Sequence, residues 1–177
     1  MHRLLILFLI LSTSICAKEE HMIFTESSIG PMKIKENMEI SLYKISQTFP
    51  YYKVTQRIGQ GDSPDFHSFT VSTWEGEELI EFISYINKKE DYEKSIVKLD
   101  EVITCNEKVK DNYGISPKTK FKVADKSRDN MTYGDGHMDN FLGKDKLWYL
   151  FTVPNGQFNR GNRELAEKVN PAIQCIS

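Results

Sequence analysis

Residues 133 to 140 read YGDGHMDN, which puts Asp135, His137 and Asp139 at alternate positions. On an extended segment alternate side chains share one side, so two carboxylates and an imidazole would converge there. A mixed oxygen and nitrogen donor set suits a transition metal better than calcium, and a metal at that point would make the chain a metal-dependent hydrolase. No H-E-x-x-H pair stands elsewhere in the sequence to support a catalytic zinc site. The same composition, rich in Asp, Gly and Asn, also makes a polar turn for conformational reasons alone. The two readings compete for the segment, and the turn is the simpler.

Other reactive side chains carry less pattern. His67 lies in FHSFTVSTW, on one strand face with Phe69 and Val71. It would serve either as an acid or base at a sheet surface or as a hydrogen-bonded, partly buried histidine, and the second is expected. Nucleophilic catalysis needs a serine or cysteine beside a base and an orienting acid, and no G-x-S-x-G turn is present. Glu77, Glu78 and Glu81 read as the solvated margin of a hairpin. The sequence therefore assigns no catalytic residue and no cofactor.

Binding chemistry has better candidates. Tyr51, Tyr52, Phe66, Trp74, Trp148, Tyr149 and Phe158 supply aromatic area; strand aromatics are mostly core, but Trp and Tyr are also what interfaces use. The stretch PNGQFNRGNR, Pro154 to Arg163, is a loop too polar to collapse inward. Phe158, Arg160 and Arg163 in it are the expected partner contacts, an aromatic and two arginines on a protruding loop.

The elements that must position these groups follow from apolar spacing. Met22 to Thr25 reads as a short strand entering the Gly30-Pro31 turn, and Met32 and Ile34 as another that alternates with lysines. From Ile40 to Phe49 the spacing is helical, with Pro50 as the stop. A strand opens at Tyr52, a loop follows at GQGDSP, and the runs from Phe66 and from Glu78 form a hairpin about Glu75-Gly76-Glu77. In the second run Leu79, Ile83 and Tyr85 face one way and Ile80, Phe82 and Ile86 the other, so it belongs inside a covered sheet. SIVKLDEVIT, from Ser95, is the next strand out.

The second half restarts the pattern. Gly114 precedes Ile115 as Gly30 precedes Ile34, and an apolar residue, Phe121 or Ile40, opens the next amphipathic segment six positions later. KLWYLFTV then reads as a strand, NRELAEKVNP as a capped helix ended by proline, and AIQCIS as a last strand. The expected fold is α+β and sheet-dominated, mainly antiparallel strands with a few short helices, in two degenerate repeats over residues 23–104 and 112–177.

The first residues set the compartment. MHRLLILFLILSTSICA has a basic start, an apolar run from Leu4 to Leu11 and a small-residue exit at Ala17, the three parts of a secretory signal peptide. The run is well short of the roughly 20 residues that span a bilayer, so no transmembrane segment is expected in the mature chain. Cleavage after Ala17 leaves one domain, residues 18–177. It also removes one of the 23 basic side chains and none of the 25 acidic ones, leaving a slightly acidic chain; lysines from Lys88 onward are interleaved with carboxylates, which excludes a nucleic-acid binder. Cys105 and Cys175 survive cleavage and, in an oxidising compartment, are expected to form a disulfide, with two buried thiols as the alternative.

The export signal, SSIGPMKIKENMEI, the β-rich middle ending near SIVKLDEVIT, and the restart at YGISPKTKF together resemble an uncharacterised family of bacterial envelope proteins, the sigma-E-regulated lipoproteins with a domain of unknown function. The resemblance covers roughly residues 23–153. It implies a bacterial periplasmic α+β domain and carries over no catalytic residue. One departure is plain: bulky Ile15 precedes Cys16, where a lipoprotein signal has a small residue, so lipid anchoring is not carried over. The reading from sequence is thus an exported periplasmic or secreted envelope protein, a non-enzymatic binding or envelope-support module whose partner is an envelope protein or polysaccharide. The alternative is a metal-dependent envelope hydrolase centred on Asp135, His137 and Asp139.

Overall fold

The computed structural model describes residues 22–61, 64–128, 131–133, 140–143, 146–151 and 163–177. Strands β1 (Ile23–Thr25), β2 (Ser28–Ile29) and β3 (Met32–Lys33) form a short meander, as the alternation of Met32 and Ile34 with lysines requires. Gly30 makes the turn from β2 to β3 at φ 52°, a left-handed conformation open to glycine. Strand β4 (Glu39–Ile40) leads into helix α1 (Leu42–Thr48). The helix starts two residues later than its apolar spacing suggests because Ser41 caps it, its Oγ accepting from the Lys44 amide at 3.2 Å. Ile40 is left in the strand, and Ile45 and Phe49 are buried.

Next come β5 (Lys53–Gly59), β6 (Phe66–Ser72) and β7 (Glu78–Tyr85), an antiparallel run that β9 (Glu101–Ile103) completes on the far side of β7. Register sets Phe69 against Phe82 and Val71 against Ile80, and all four are buried in the core. Leu79 and Ile83, on the other face, are buried too, so β7 is covered on both sides as expected; Tyr85 at its end is partly exposed. SIVKLDEVIT is not one strand. It splits into β8 (Val97–Lys98), paired with β4, and β9, paired with β7. The break falls at Asp100, whose carboxylate accepts the Tyr85 amide at 2.8 Å in place of a ladder bond.

β10 (Lys110–Asp111) pairs parallel with β1. Helix α2 (Phe121–Ser127) precedes β11 (Thr132–Tyr133), β12 (Asn140–Leu142) and β13 (Trp148–Phe151); α3 (Arg163–Val169) and β14 (Ile173–Ile176) follow. Strands β11, β12, β13 and β14 form a second antiparallel sheet in chain order. A helix followed by a four-stranded antiparallel run therefore occurs twice, α1 with β5, β6, β7 and β9, and α2 with β11 to β14.

The two large sheets meet at their last strands. Thr104, next to β9, and Ile176 of β14 form an antiparallel bridge, and Cys105 and Cys175 are joined by a disulfide beside it. Phe49, Phe69 and Phe82 sit in the core on one side, and Phe121, Phe141 and Tyr149 on the other. Phe121 packs edge-on to Phe141 and Phe151, with centroids 4.7 and 5.4 Å apart.

Candidate functional site

A cleft of about 560 Å³ opens where the two sheets adjoin the small β1–β3 meander. Its apolar wall comes from Phe24, Ile34, Leu99, Leu147 and Trp148. These residues belong to the N-terminal meander, the β8–β9 break and the start of β13, so the site exists only because the fold brings three regions together. Such a wall with a few placed polar groups is the usual make-up of a binding cleft.

The polar groups are specific. Tyr85 donates its hydroxyl to Glu101 Oε2 at 2.9 Å and its amide to Asp100 Oδ2 at 2.8 Å. One residue, through its hydroxyl and its backbone N–H, thus holds two carboxylates in place on the rim. Burial first, and then the Glu101 carboxylate, push the Tyr85 phenol up to about 12, so it remains a donor at neutral pH. On the opposite rim Lys146 pairs with Glu26 at 3.0 Å, an exposed pair tying the second sheet to the β1–β2 turn; the hydrogen bond to Glu26 raises the lysine above its usual range. Lys35 and Lys98 also line the cleft.

His67 stands elsewhere and is already occupied. It is 1% exposed, its Nε2 lies 2.7 Å from the Asp91 carbonyl, and the Gln56 side-chain amide lies 3.4 Å from its Nδ1. A carbonyl only accepts, so Nε2 carries the proton and Nδ1 accepts from Gln56. Both nitrogens are engaged, which is the buried, hydrogen-bonded histidine expected rather than a surface base. Glu81 is not a free carboxylate either: it accepts from Ser68 and pairs with Arg57 at 3.5 Å.

Two polar clusters, the first buried and the second partly buried, have pairings that sequence spacing does not show. Asp111 accepts the amides of Tyr113 and Ile115 at 2.8 Å each, and the Tyr149 hydroxyl at 2.6 Å. Arg128 lies 3.7 Å from the same carboxylate, with its guanidinium 3.9 Å from the Tyr113 ring centroid. The only sequence signal was Asp111 ahead of a Gly turn, which any loop shares. In the second cluster Asp125 pairs with Arg163 and accepts the Met131 amide at 3.0 Å. Arg163 also donates to the Met131 carbonyl at 2.8 Å and pairs with Glu167 at 3.1 Å, so it ties α3 to α2 within the molecule. Phe158 and Arg160, and the set Asp135, His137 and Asp139, lie outside the described residues. Among the described residues no group of three or more His, Cys, Asp and Glu side chains is placed to hold a metal ion, and no helix is long and apolar enough to cross a membrane.

The aromatic residues divide. Tyr149 is fully buried, Trp148 lines the cleft, and Trp74 and Tyr51 are 71% and 75% exposed. They are held to each other by the indole N–H, which donates to the Tyr51 carbonyl at 3.0 Å.

No protein-family model matches the chain, and no curated protein sequence matches it. The chain is similar in structure to the crystal structure of the uncharacterized protein YfeY from Escherichia coli, with 11% sequence identity, 87% of this chain and 97% of that one covered, and a TM-score of 0.55. At that identity, what the likeness establishes is a shared fold.

Proposed function

We propose that the chain is an exported protein of the bacterial envelope, built as one domain of two degenerate units, residues 23–104 and 112–177, and that it works as a non-enzymatic binding module whose ligand seats in the cleft where those units meet. The observation that carries this reading is the cleft itself: apolar wall, carboxylates fixed by Tyr85, and lysines on the rim. Support for export comes from the N-terminal signal pattern and from the Cys105–Cys175 disulfide, a bond that persists in oxidising compartments. The residues that resemble the sigma-E-regulated lipoprotein family support a bacterial envelope setting. The partner on this reading is an envelope protein or polysaccharide.

Site-specific photo-crosslinking in intact cells tests it. A benzophenone amino acid at Ile34, in the cleft, should give a discrete adduct. The same group at Val123, which is 55% exposed on α2 and away from the cleft, should give none. Adducts from Val123 alone, or equally from both positions, would place the binding surface elsewhere, and the absence of any adduct from Ile34 would remove the cleft from consideration.

A further inference from the structure

Strand β5 lies mid-chain between α1 and β6, at the opposite end of its sheet from β9 and the cleft. Among the described residues it pairs with β6 alone, over Lys53–Gly59 and with no register shift. Ile86 donates to the Asp65 carbonyl at 2.8 Å, which fixes the phase of the ladder, because backbone groups of successive strand residues point to opposite edges. His67, Phe69 and Val71 therefore bond β7, while Phe66, Ser68, Thr70 and Ser72 bond Gly59, Arg57, Thr55 and Lys53. Val54, Gln56 and Ile58 are left with N–H and C=O directed away from β6. That edge faces solvent: Lys53, Thr55, Gln56, Arg57 and Ile58 are all exposed, Ile58 at 43%. It has no proline and no bulge to blunt it. Its two charges, Lys53 and Arg57, lie on the sheet face shared with Ser68 and Ser72, where Arg57 pairs with Glu81 at 3.5 Å.

We propose that β5 pairs antiparallel with β5 of a second copy of this chain, about a two-fold axis at Gln56, so that the two sheets become one across the axis. In that register Gln56 meets Gln56 and Val54 meets Ile58 of the other copy, and every outward N–H and C=O on both strands is bonded. The side chains fit the same register. Val54, which packs against the core, meets exposed Ile58 in an apolar cross-strand pair formed on both sides of the axis. On the other face Thr55 meets Arg57 and Lys53 meets Gly59, so no like charges stand directly opposed. An axis at Arg57 would set that arginine against itself. An axis at Thr55 would set Ile58 against Tyr52, whose amide is already given to the Phe49 carbonyl at 3.1 Å. The strand is thus its own complement in one register, which selects a second copy over an unrelated strand. Two-fold pairing is closed, so assembly stops at the dimer. A sheet edge buries less than a standard interface, so the dimer forms at high concentration and separates on dilution. Both clefts stay free in it, since β9 lies at the far end of each sheet.

Sedimentation equilibrium on the purified, oxidised protein should show the mass rising from monomer to dimer, and no further, between about 5 and about 500 μM. In ¹⁵N-labelled protein at the dilute end, the Val54, Gln56 and Ile58 amides should exchange at least about tenfold faster than those of Thr55 and Arg57, which are ladder-bonded. At the concentrated end the same three amides should slow at least about threefold. Substitutions at exposed positions read the register. Thr55→Arg brings a guanidinium opposite Arg57 of the other copy and should weaken the dimer at least about tenfold, about 1.4 kcal/mol. Ile58→Lys puts a charge into the apolar pair and should do the same, which keeps the test alive if the first variant folds poorly. Thr55→Glu, opposite the same arginine, should tighten the dimer at least about threefold. The proposal is overturned if the protein stays monomeric at about 500 μM, if a dimer forms that all three variants leave unchanged, or if Val54, Gln56 and Ile58 stay unprotected in the dimer. Protection of those amides in dilute protein on adding envelope extract, with no dimer formed, would overturn it too, and would make a strand of another protein the occupant.

Discussion

Single residues here are mostly held by partners far away in the chain. Asp111 collects two amides, the Tyr149 hydroxyl and the Arg128 charge in a site 3% exposed. Replacing it with Ala strands those donors, so Asp111→Ala should cost about 3 kcal/mol or more in denaturant unfolding, against about 1 kcal/mol for Tyr149→Phe, which removes one bond. Equal small effects from both would mean the cluster is not buried as described. Tyr85 gives a pH signature. Its phenol is raised from 10.0 to about 12 in the folded chain, so the fold favours the neutral form. That contribution is whole below about pH 10 and is lost as pH rises toward 12. The stability gap between wild type and Tyr85→Phe should therefore shift against wild type across that window, and a gap that stays flat would contradict a phenol raised by burial and by Glu101. None of these roles could be read from spacing. His67 and Asp91 are partners 24 positions apart, and a burial pattern in sequence marks a residue as buried without saying what satisfies it.

At the scale of elements, legibility followed strand length and apolar density. β6 and β7 were plain because both are long and rich in β-branched and aromatic residues, and β14 and α3 because Pro171 separates them. Two-residue strands such as β4 and β8 carry too few positions for any period, and Asp100 broke a strand that read as continuous because its side chain replaces a backbone partner. The cleft was not legible, since Glu26, Ile34, Tyr85, Val102 and Trp148 come together only through sheet register. The disulfide was legible from the expected compartment and from count, and its place in the fold explains its worth: it links positions 70 apart in the chain, beside the backbone bridge that joins the large sheets among the described residues. In the chain-entropy account such a cross-link contributes roughly 4 kcal/mol. Cys105→Ser with Cys175→Ser should lose about that much and should speed exchange at the Thr104 and Ile176 amides before those of β6. A loss under about 1 kcal/mol would show that the sheets hold together without it.

Taken whole, the molecule is two helix-and-sheet units pinned at their last strands, with the N-terminal meander closing one side of the gap between them. The resulting surface combines an apolar wall with lysines that have no ion-pair partner among the described residues. That combination gives the central claim a direct measurement, because Lys35 and Lys98 can be labelled in place. Brief acetylation of intact envelopes and of the purified protein, followed by mass spectrometry of the lysine peptides, compares the two. Lys126 on α2 and Lys168 on α3 are exposed and away from the cleft, and they serve as internal references. The account predicts that Lys35 and Lys98 are labelled at least about threefold less in the envelope than in the purified protein while Lys126 and Lys168 are unchanged. Equal labelling of Lys35 and Lys98 in both preparations, or protection confined to Lys126 and Lys168, would contradict it.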